Sequence, residues 1–303
     1  MRVALLAGGT GGAKLAAGLQ AVLGPGELTV IANTADDVEV WGLHVSPDLD
    51  SVLFRLAGVF NEATGFGIAG DTFEALGQME SLGLPAWFRI GDRDLAVHVA
   101  RTQMLARGCR LTETALELGR RFGVPSAVLP MSDDPIRTWF ATERGPLAFQ
   151  DYFVRERAGP RVDAVEYAGI EMARASAEAL QAVGAADLVV IGPSNPAVSV
   201  WPILTLLGAA LPRDRTVAVT PVVAGAALKG PTVEMMRSLG RDPTATGVAR
   251  EYQELASGFV LDAQDEAERA AIEALGYRVL VTDTLMTDLT AAARLAETLL
   301  RLR

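Results

Sequence analysis

Short runs of valine, isoleucine and leucine recur along the whole chain, and each run is bounded by turn-forming residues. Segments with a helical spacing of apolar residues fill most of the intervals between the runs. Strands that are apolar at consecutive positions are typical of a parallel sheet that helices cover on both faces. We therefore predict an α/β fold with three layers, α/β/α, around a mostly parallel sheet. The predicted strands are Val3–Ala7, Leu28–Ala32, Ala127–Leu129, Leu188–Ile191, Val217–Val219, Phe259–Leu261 and Val279–Val281.

One segment departs from this alternation and predicts a small inserted α+β lobe. Thr138–Thr142 and Leu147–Val154 flank a turn, which indicates a β-hairpin. We assign residues 1–132 and 175–303 to a nucleotide-binding core and 133–174 to the inserted lobe, within one continuous globular unit. The predicted helices are Lys14–Leu23, Thr72–Leu82, Asp94–Arg107, Thr112–Phe122, Ala173–Val183, Val233–Leu239, Ala245–Leu255, Glu266–Leu275 and Thr290–Leu300.

Composition excludes several classes of function. A formal charge of −10, from 37 acidic and 27 basic residues, argues against nucleic acid as a partner, since nonspecific binding needs a basic surface. The single cysteine, Cys109, cannot form an intrachain disulfide and fits a reducing compartment. The longest later apolar stretch, Val198–Leu211, contains Pro202 and is shorter than the roughly 20 residues of a membrane span. We therefore expect a cytoplasmic protein without a membrane or nucleic-acid partner.

The first predicted strand runs into a glycine cluster, and helical spacing begins at Lys14. Backbone amides and a helix N-terminus can face an anion at such a turn. The segment does not match the dinucleotide fingerprint, because Lys14 occupies the position of the third glycine. It also lacks the Gly-Lys-Ser/Thr triplet of a P-loop. The prediction is an anion site, and the alternative is a tight turn that binds no ligand.

Carboxylates are concentrated after the second predicted strand, in Asn33–Asp37 and Ser46–Asp50. An acidic or amide side chain at the carboxyl end of such a strand usually meets a ribose, a base or a metal. Asp48 and Asp50, two residues apart, could share one Mg²⁺ ion. The alternative for both segments is helix capping, which accounts for single residues but not for four aspartates within Asp36–Asp50.

Further loops carry cations and amides. Arg93, in the segment Arg89–Asp94, could hold a phosphate in a bidentate manner, although surface ion pairs are the alternative. A rigid turn with Ser194 and Asn195 follows the fourth predicted strand, and Lys229 lies in the loop after the next one. This inventory of amides, cations and carboxylates suits transfer of a phosphate ester with metal assistance.

Taken together, eight segments resemble the 2-phospho-L-lactate transferase family of coenzyme F-420 biosynthesis. They occur in family order from residue 3 to about residue 287: AGGTGGAKL, NTADD, SPDLDSVL, GDRD, LPMSDDP, FQDYFVR, IGPSNP and DTLMT. The resemblance implies a Rossmann-like core and a transferase that requires Mg²⁺. It also implies transfer of a phospholactyl or phosphoenolpyruvyl group from a GDP-linked donor to the ribityl hydroxyl of the deazaflavin Fo, with release of GMP. A homodimer is the family expectation.

The resemblance also implies roles for individual residues. Asp50 and Arg89 occupy the positions that contact Fo, and Asp48 and Asp50 those of catalysis and metal binding. Asp50 would orient the hydroxyl, and whether it also removes the proton stays open. Where relatives can have Thr-Pro after the Gly-Thr-Gly of the loop, this chain has Gly12 and Ala13. The residues implied for the nucleotide of the GDP-linked donor are Gly9, Thr10, Gly11, Gly12, Lys14, Asn33, Ser194 and Asn195.

Two other functions stay open at the level of sequence. A branch of the same superfamily acts as nucleotide-sugar-binding regulatory proteins, and the glycine loop fits both functions. The carboxylate-rich segments favour the transferase, because a binding protein has little need of a second substrate pocket. A dehydrogenase would require a better dinucleotide fingerprint. The residues do not distinguish a lactyl from an enolpyruvyl donor.

Overall fold

A computed structural model describes residues 1–227 and 231–302 of the chain, so the predicted cation Lys229 lies outside the described residues. The strands in chain order are β1 (Val3–Ala7), β2 (Leu28–Ala32), β3 (Val38–Val40), β4 (Leu43–Val45), β5 (Ala127–Pro130), β6 (Arg137–Thr142), β7 (Gly145–Ala148), β8 (Val162–Ala168), β9 (Leu188–Ile191), β10 (Thr216–Val219), β11 (Val222–Val223), β12 (Ala226–Ala227), β13 (Gly258–Asp262) and β14 (Arg278–Thr282).

The helices divide between the two faces of the main sheet. In chain order they are α1 (Gly9–Val22), α2 (Pro47–Leu56), α3 (Glu74–Ser81), α4 (Asp92–Ala106), α5 (Leu111–Arg121), α6 (Ala177–Ala185), α7 (Trp201–Leu207), α8 (Thr232–Ser238), α9 (Ala245–Glu251), α10 (Arg269–Glu273) and α11 (Leu289–Leu300). In the described part of the chain, no helix combines the length and apolar character needed to cross a membrane.

A seven-stranded sheet in the order β14-β13-β10-β9-β1-β2-β5 forms the centre of the molecule, and every neighbouring pair in it is parallel. The seven predicted strands are these seven strands, with bounds that differ by no more than one residue. The predicted α/β class and parallel sheet are therefore confirmed.

Alternate residues of the central strand face two separate cores, which explains the continuous apolar runs. Leu5 packs in one core with residues of α1 and α11, and Leu6 packs in the other with residues of α6, α7 and α9. Both side chains are fully buried. Because β1 and its neighbour β9 are covered on both faces, both are apolar throughout, and polar side chains lie beyond their ends.

The order of strands reverses between β1 and β9. The chain moves outward from β1 through β2 to β5, then returns to β9 and continues to the opposite edge at β14. In such sheets the loops after the two central strands diverge and leave a crevice at their carboxyl ends. Here those loops are the glycine segment after β1 and the turn Gly192–Asn195 after β9.

The inserted segment holds a three-stranded antiparallel sheet in the order β7-β6-β8, so the predicted hairpin is incomplete. The predicted strand Leu147–Val154 is wrong beyond Ala148, because residues Asp151–Arg155 form a π-helical turn. Its aromatic side chains pack together there: the rings of Phe149 and Phe153 stack at 4.5 Å between centroids. Neighbouring aromatics thus favour a compact turn over an extended strand.

Several helix starts differ from the prediction, and two of these differences concern the site. Helix α1 begins at Gly9, five residues before Lys14, so the glycines belong to its first turns. Helix α2 was not predicted, because Pro47 and the nearby aspartates indicate a turn. Proline at the first helical position and acidic residues in the first turn also favour a helix start, and Pro47, Asp48 and Asp50 take that form here.

Candidate active site

Two adjoining cavities lie at the carboxyl edge of the sheet. The glycine-side cavity, about 500 Å³, lies among the glycine segment after β1, the first turn of α2 and the turn after β9. The aromatic cavity, about 250 Å³, lies between α2, the segment 87–89 and the start of α4. Five residues line both cavities and so form a shared wall: Pro47, Ser51, Phe66, Gln150 and Val154.

Backbone geometry at the N-terminus of α1 requires glycine. Gly9 has a φ of +60°, a conformation that L side chains rarely adopt. A Cβ on Gly11 would lie 2.1 Å from the carbonyl oxygen of Pro193, so the loops after β1 and β9 touch there. Gly9, Thr10 and Gly11 line the glycine-side cavity at the positive end of a 14-residue helix. This end of the cavity is therefore suited to an anion.

Two buried carboxylates face the same cavity. The side-chain amide of Asn33 donates to Asp48 Oδ2 at 3.1 Å and to Asp36 Oδ1 at 3.3 Å, and the Gly9 amide donates to Asp48 Oδ1 at 2.5 Å. Burial raises the pKa of Asp48 to about 6, although these hydrogen bonds oppose the shift. Burial, followed by the charge of Asp48, raises the pKa of Asp36 well above its ordinary value.

This carboxylate pair fits a divalent cation better than the pair predicted from sequence. Asp48 and Asp50 are two residues apart on α2, so they point about 200° apart around the helix and face different cavities. Asp36 and Asp48 line one cavity and share the Asn33 amide. Mg²⁺ commonly takes one or two carboxylates together with substrate phosphates and water. In the described chain, no group of three or more His, Cys, Asp or Glu side chains is arranged to hold a metal.

The aromatic cavity has a different lining. Phe54, Phe66, Trp87 and Phe88 supply rings, and the side chains of Asp50, Arg89, Asp94 and His98 supply polar groups. Asp50 is 4% exposed and forms a two-point ion pair with the buried Arg101. The guanidinium of Arg89 lies 4.6 Å from the centroid of the Phe73 ring. A planar aromatic ligand with a hydrogen-bonding edge suits this lining.

The loop after β9 contributes to the glycine-side cavity. Ser194 and Asn195 both line it. The hydroxyl of Ser194 donates to the Gly8 carbonyl and so ties the two central loops together. Asn195 Oδ1 accepts from the Ala197 amide at 2.9 Å and caps the turn that follows.

Four residues predicted for phosphate or nucleotide contact line neither cavity, and one of them, Asn33, is fully buried behind Asp36 and Asp48. Lys14 Nζ donates to the Met286 carbonyl at 2.8 Å, because starting α1 at Gly9 turns position 14 away from the cavity. A Cβ on Gly12 would lie 2.7 Å from the Ala7 Cβ, so Gly12 serves close packing of helix and strand. Arg93 is exposed and donates to the Ala69 carbonyl at 3.3 Å.

Sequence reasoning missed several residues of the site. Phe66 lies in a segment rich in glycines with positive φ, among them Gly65 and Gly67, and it faces both cavities. Gln150 comes from the inserted segment, lines both cavities and donates to the Asp36 carbonyl at 3.0 Å. An aromatic residue between two glycines was the available signal for Phe66, and the signal for Gln150 was its place in the segment FQDYFVR, which resembles the family.

Comparison with known proteins shows what this chain is similar to. The family model described as 2-phospho-L-lactate transferase CofD matches residues 3–289. A 2-phospho-L-lactate transferase of Methanosarcina acetivorans is 40% identical over 295 residues, which cover 97% of this chain and 96% of the relative. A phosphoenolpyruvate transferase of Kitasatospora aureofaciens is 39% identical over 314 residues, which cover 100% of this chain and 98% of the relative.

A solved structure shares the fold. The crystal structure of a UPF0052 family member from Bacillus halodurans superimposes with a TM-score of 0.63 at 20% identity, covering 99% of this chain and 98% of that one. At this identity the similarity concerns the fold alone. The match to the family model and the full-length identity to named transferases show that this chain belongs to the 2-phospho-L-lactate transferase (CofD) family.

Proposed function

We propose that this protein transfers a phospholactyl or phosphoenolpyruvyl group from a GDP-linked donor to the ribityl hydroxyl of the deazaflavin Fo. The observation that carries the proposal is the shared wall between a cavity with helix N-terminal amides and carboxylates and a cavity lined by rings. A ring system bound on one side can direct a polar chain past Pro47 and Ser51 toward a diphosphate bound on the other. The two substrates of the reaction have these properties, because Fo carries the ring system and the GDP-linked donor carries the diphosphate.

The reaction is a displacement at phosphorus. The Fo hydroxyl oxygen forms a bond to the phosphorus that carries the lactyl or enolpyruvyl group. The bond from that phosphorus to the bridging oxygen breaks, GMP leaves with the oxygen, and the hydroxyl proton is released. Catalysis of such a step consists mainly of positioning and of stabilising negative charge. The amides of Thr10 and Gly11 at the start of α1 would stabilise charge on the diphosphate.

Asp36 and Asp48 are the residues that would hold Mg²⁺, together with oxygens of the diphosphate. The ion would neutralise charge on the diphosphate when bound. Asp50 is proposed to accept a hydrogen bond from the ribityl hydroxyl and so to orient it, with Arg89 at the other end of the same cavity. In this proposal Asp48 acts on the donor diphosphate and Asp50 acts on the acceptor hydroxyl, so the two carboxylates need not share an ion.

The decisive test offers the purified protein Fo with each GDP-linked donor, lactyl and enolpyruvyl, and identifies the product by mass spectrometry. We expect a product that carries one of the two groups, GMP in equal amount, and no product without Mg²⁺. Gel filtration of the same sample tests the proposed homodimer. A protein that binds the donor but neither binds fluorescent Fo nor forms product would instead be a nucleotide-binding regulator.

The variant Asp50→Asn tests whether the Asp50 carboxylate takes part in turnover. The amide keeps the size of the side chain but is a weaker acceptor, so we expect turnover to fall by about 1,000-fold while GDP affinity stays within about twofold. Turnover near that of the wild type would remove Asp50 from the mechanism.

A further inference from the structure

The largest fully buried side chain of the molecule is a charged one that borders the aromatic cavity without lining it. Arg101 lies in α4 with no exposed surface, and its guanidinium reaches Asp50 on α2. Nη1 donates to Asp50 Oδ2 at 3.0 Å, and Nη2 donates to Asp50 Oδ1. Both oxygens of the carboxylate are therefore held by one planar group, which fixes the plane as well as the position of the carboxylate.

The guanidinium is itself held from a second side. His98, one turn earlier on α4, places Nδ1 3.3 Å from Arg101 Nη1, and its Nε2 lies 3.2 Å from Asp94 Oδ1. The carbonyl of His44 accepts from the same Nη1 at 3.4 Å. Since Nδ1 faces a cation donor, the neutral imidazole accepts there and carries its proton on Nε2. His98 and the His44 carbonyl therefore hold the guanidinium of Arg101, which in turn holds Asp50.

Stability alone does not account for this arrangement. Removing two charges from water costs free energy that their mutual attraction often fails to recover, so apolar replacements of buried pairs are frequently neutral or stabilising. Arg101 Nε is buried and has no hydrogen-bond partner among the described residues, which adds to that cost. A pair that serves only to join α2 to α4 could be replaced by packed apolar side chains.

The geometry leaves Asp50 able to contact a substrate. A carboxylate oxygen has two lone pairs, and a two-point guanidinium contact uses one on each oxygen. Asp50 still lines the aromatic cavity while it is paired. We propose that Arg101 is a positioning residue, which fixes the carboxylate of Asp50 so that its remaining lone pairs meet the hydroxyl of the acceptor substrate, with His98 setting the guanidinium in turn. This inference rests on the proposed function of Asp50.

Kinetics of Arg101 variants with Fo and a GDP-linked donor test the inference. Arg101→Met retains much of the buried volume but lacks the two guanidinium donors that hold Asp50. We expect kcat/KM for Fo to fall about 100-fold while KM for the GDP-linked donor stays within about twofold. Arg101→Lys keeps the charge but not the planar pair of donors, so a loss of about tenfold is expected. Arg241→Met is the matched control, because it breaks a partly buried pair with Glu251 away from both cavities.

A double-variant cycle separates positioning from a structural role. In the Asp50→Asn background, Arg101→Met should change kcat/KM for Fo by less than about twofold, because the residue acts only through the carboxylate. The inference would be overturned if the losses of kcat/KM from Asp50→Asn and Arg101→Met multiplied in the double variant. It would also be overturned if the Arg101→Met protein folded and had wild-type kinetics. Failure of both Arg101 variants to fold would also overturn it. An inactive wild type would refute the proposed function itself, whereas an active wild type with active Arg101 variants refutes only this inference.

Discussion

The two cavities differ in how the chain builds them. The glycine-side cavity combines turns that follow β1, β2, β9 and β10 of the central sheet with residues of the segments 47–66 and 149–154. Every residue of the aromatic cavity comes from residues 45–98 or from Gln150 and Val154. The first cavity is therefore built partly by the ends of sheet strands, whereas the second is made entirely by segments that leave the sheet and return. Only the first cavity has the glycine amides at the start of α1, and tryptophan lines only the second.

This difference predicts that the two halves of the site can be damaged separately. Backbone amides are fixed by the packing of the loops against each other, so the first cavity should be sensitive to added volume. Ring contacts depend on individual side chains, so the second should be sensitive to lost volume. The first two variants below are each expected to affect one substrate and to spare the other.

The largest effect is expected from Gly11→Ala. The new Cβ would lie 2.1 Å from the Pro193 carbonyl oxygen and would force apart the loops that end β1 and β9. We expect KM for the GDP-linked donor to rise by about 100-fold, with Fo affinity unchanged. Gly184→Ala is the matched control, since that glycine is also helical and nothing lies within 4 Å of the point that its new Cβ would occupy. Equal behaviour of the two variants would contradict the role of close loop contact.

Trp87→Ala tests the aromatic half. The Trp87 ring lies 5.7 Å from that of Phe88, and the Arg155 guanidinium lies 4.5 Å from its centroid. Loss of one ring contact should weaken Fo binding about tenfold, as measured by fluorescence titration, and leave the KM of the GDP-linked donor unchanged. Trp139→Ala, at a 40% exposed tryptophan that lines neither cavity, should change neither value. A loss of donor affinity in Trp87→Ala would mean that the two halves are not separable.

Asp94→Asn concerns the stability of the aromatic half as pH changes. Burial, and then the charge of Asp50, raise the pKa of Asp94 to about 8 from an ordinary 3.8. The folded state thus binds this proton more tightly than the unfolded state, so its stabilising contribution is complete below about pH 4 and is lost as pH rises through about 8. The stability of the wild type relative to Asp94→Asn should fall over that range and level off above it, as measured by urea unfolding.

An exposed carboxyl provides the control for that measurement. Asp163 is exposed on β8 outside both cavities, so the stability of the wild type relative to Asp163→Asn is measured by urea unfolding over the same pH range as the reference. A wild-type advantage over Asp94→Asn that stays flat between about pH 4 and pH 8 would show that the Asp94 carboxyl is not held in a desolvated position in solution.

The smallest effect is expected from Lys14→Met. Its ammonium group donates to the Met286 carbonyl and so joins α1 to the segment before α11. We expect the KM of the GDP-linked donor to change by less than about twofold and the free energy of unfolding to fall by about 1 kcal/mol. A tenfold rise in that KM would instead return Lys14 to the phosphate contact that the sequence predicted.

The sequence predicted the sheet well because its strands are buried on both faces. A run such as Leu188–Ile191 has no polar position at all, and the turn after it carries Ser194 and Asn195 into the cavity. The direction of helical side chains was harder to predict. The prediction started α1 at Lys14 and directed Lys14 toward the anion, whereas α1 begins at Gly9 and Lys14 lines neither cavity. The prediction lacked α2 and placed Asp48 and Asp50 on one ion, whereas the two side chains line different cavities.

Most of the aromatic cavity could not be predicted from sequence, because its residues come together only through long-range packing. Arg101 and Asp50 are 51 positions apart, and no periodicity links an arginine inside a helix to an aspartate near the start of another. Gln150 reaches the wall between the cavities from a segment 114 positions after Asp36. Such pairs depend on how α2, α4 and the inserted segment pack, which local patterns do not encode.

The origin of the aromatic cavity in two excursions of the chain has a consequence for how this architecture can diversify. Residues 67–98 could be exchanged for those of another protein of the same fold while the seven strands, the loops at their ends and the first turn of α2, which carries Asp48, stay intact. The groups proposed to hold the diphosphate and Mg²⁺ would then stay constant, and the exchanged segment would determine which acceptor binds. A new hydroxyl-bearing acceptor would call for a new segment and not for a new sheet.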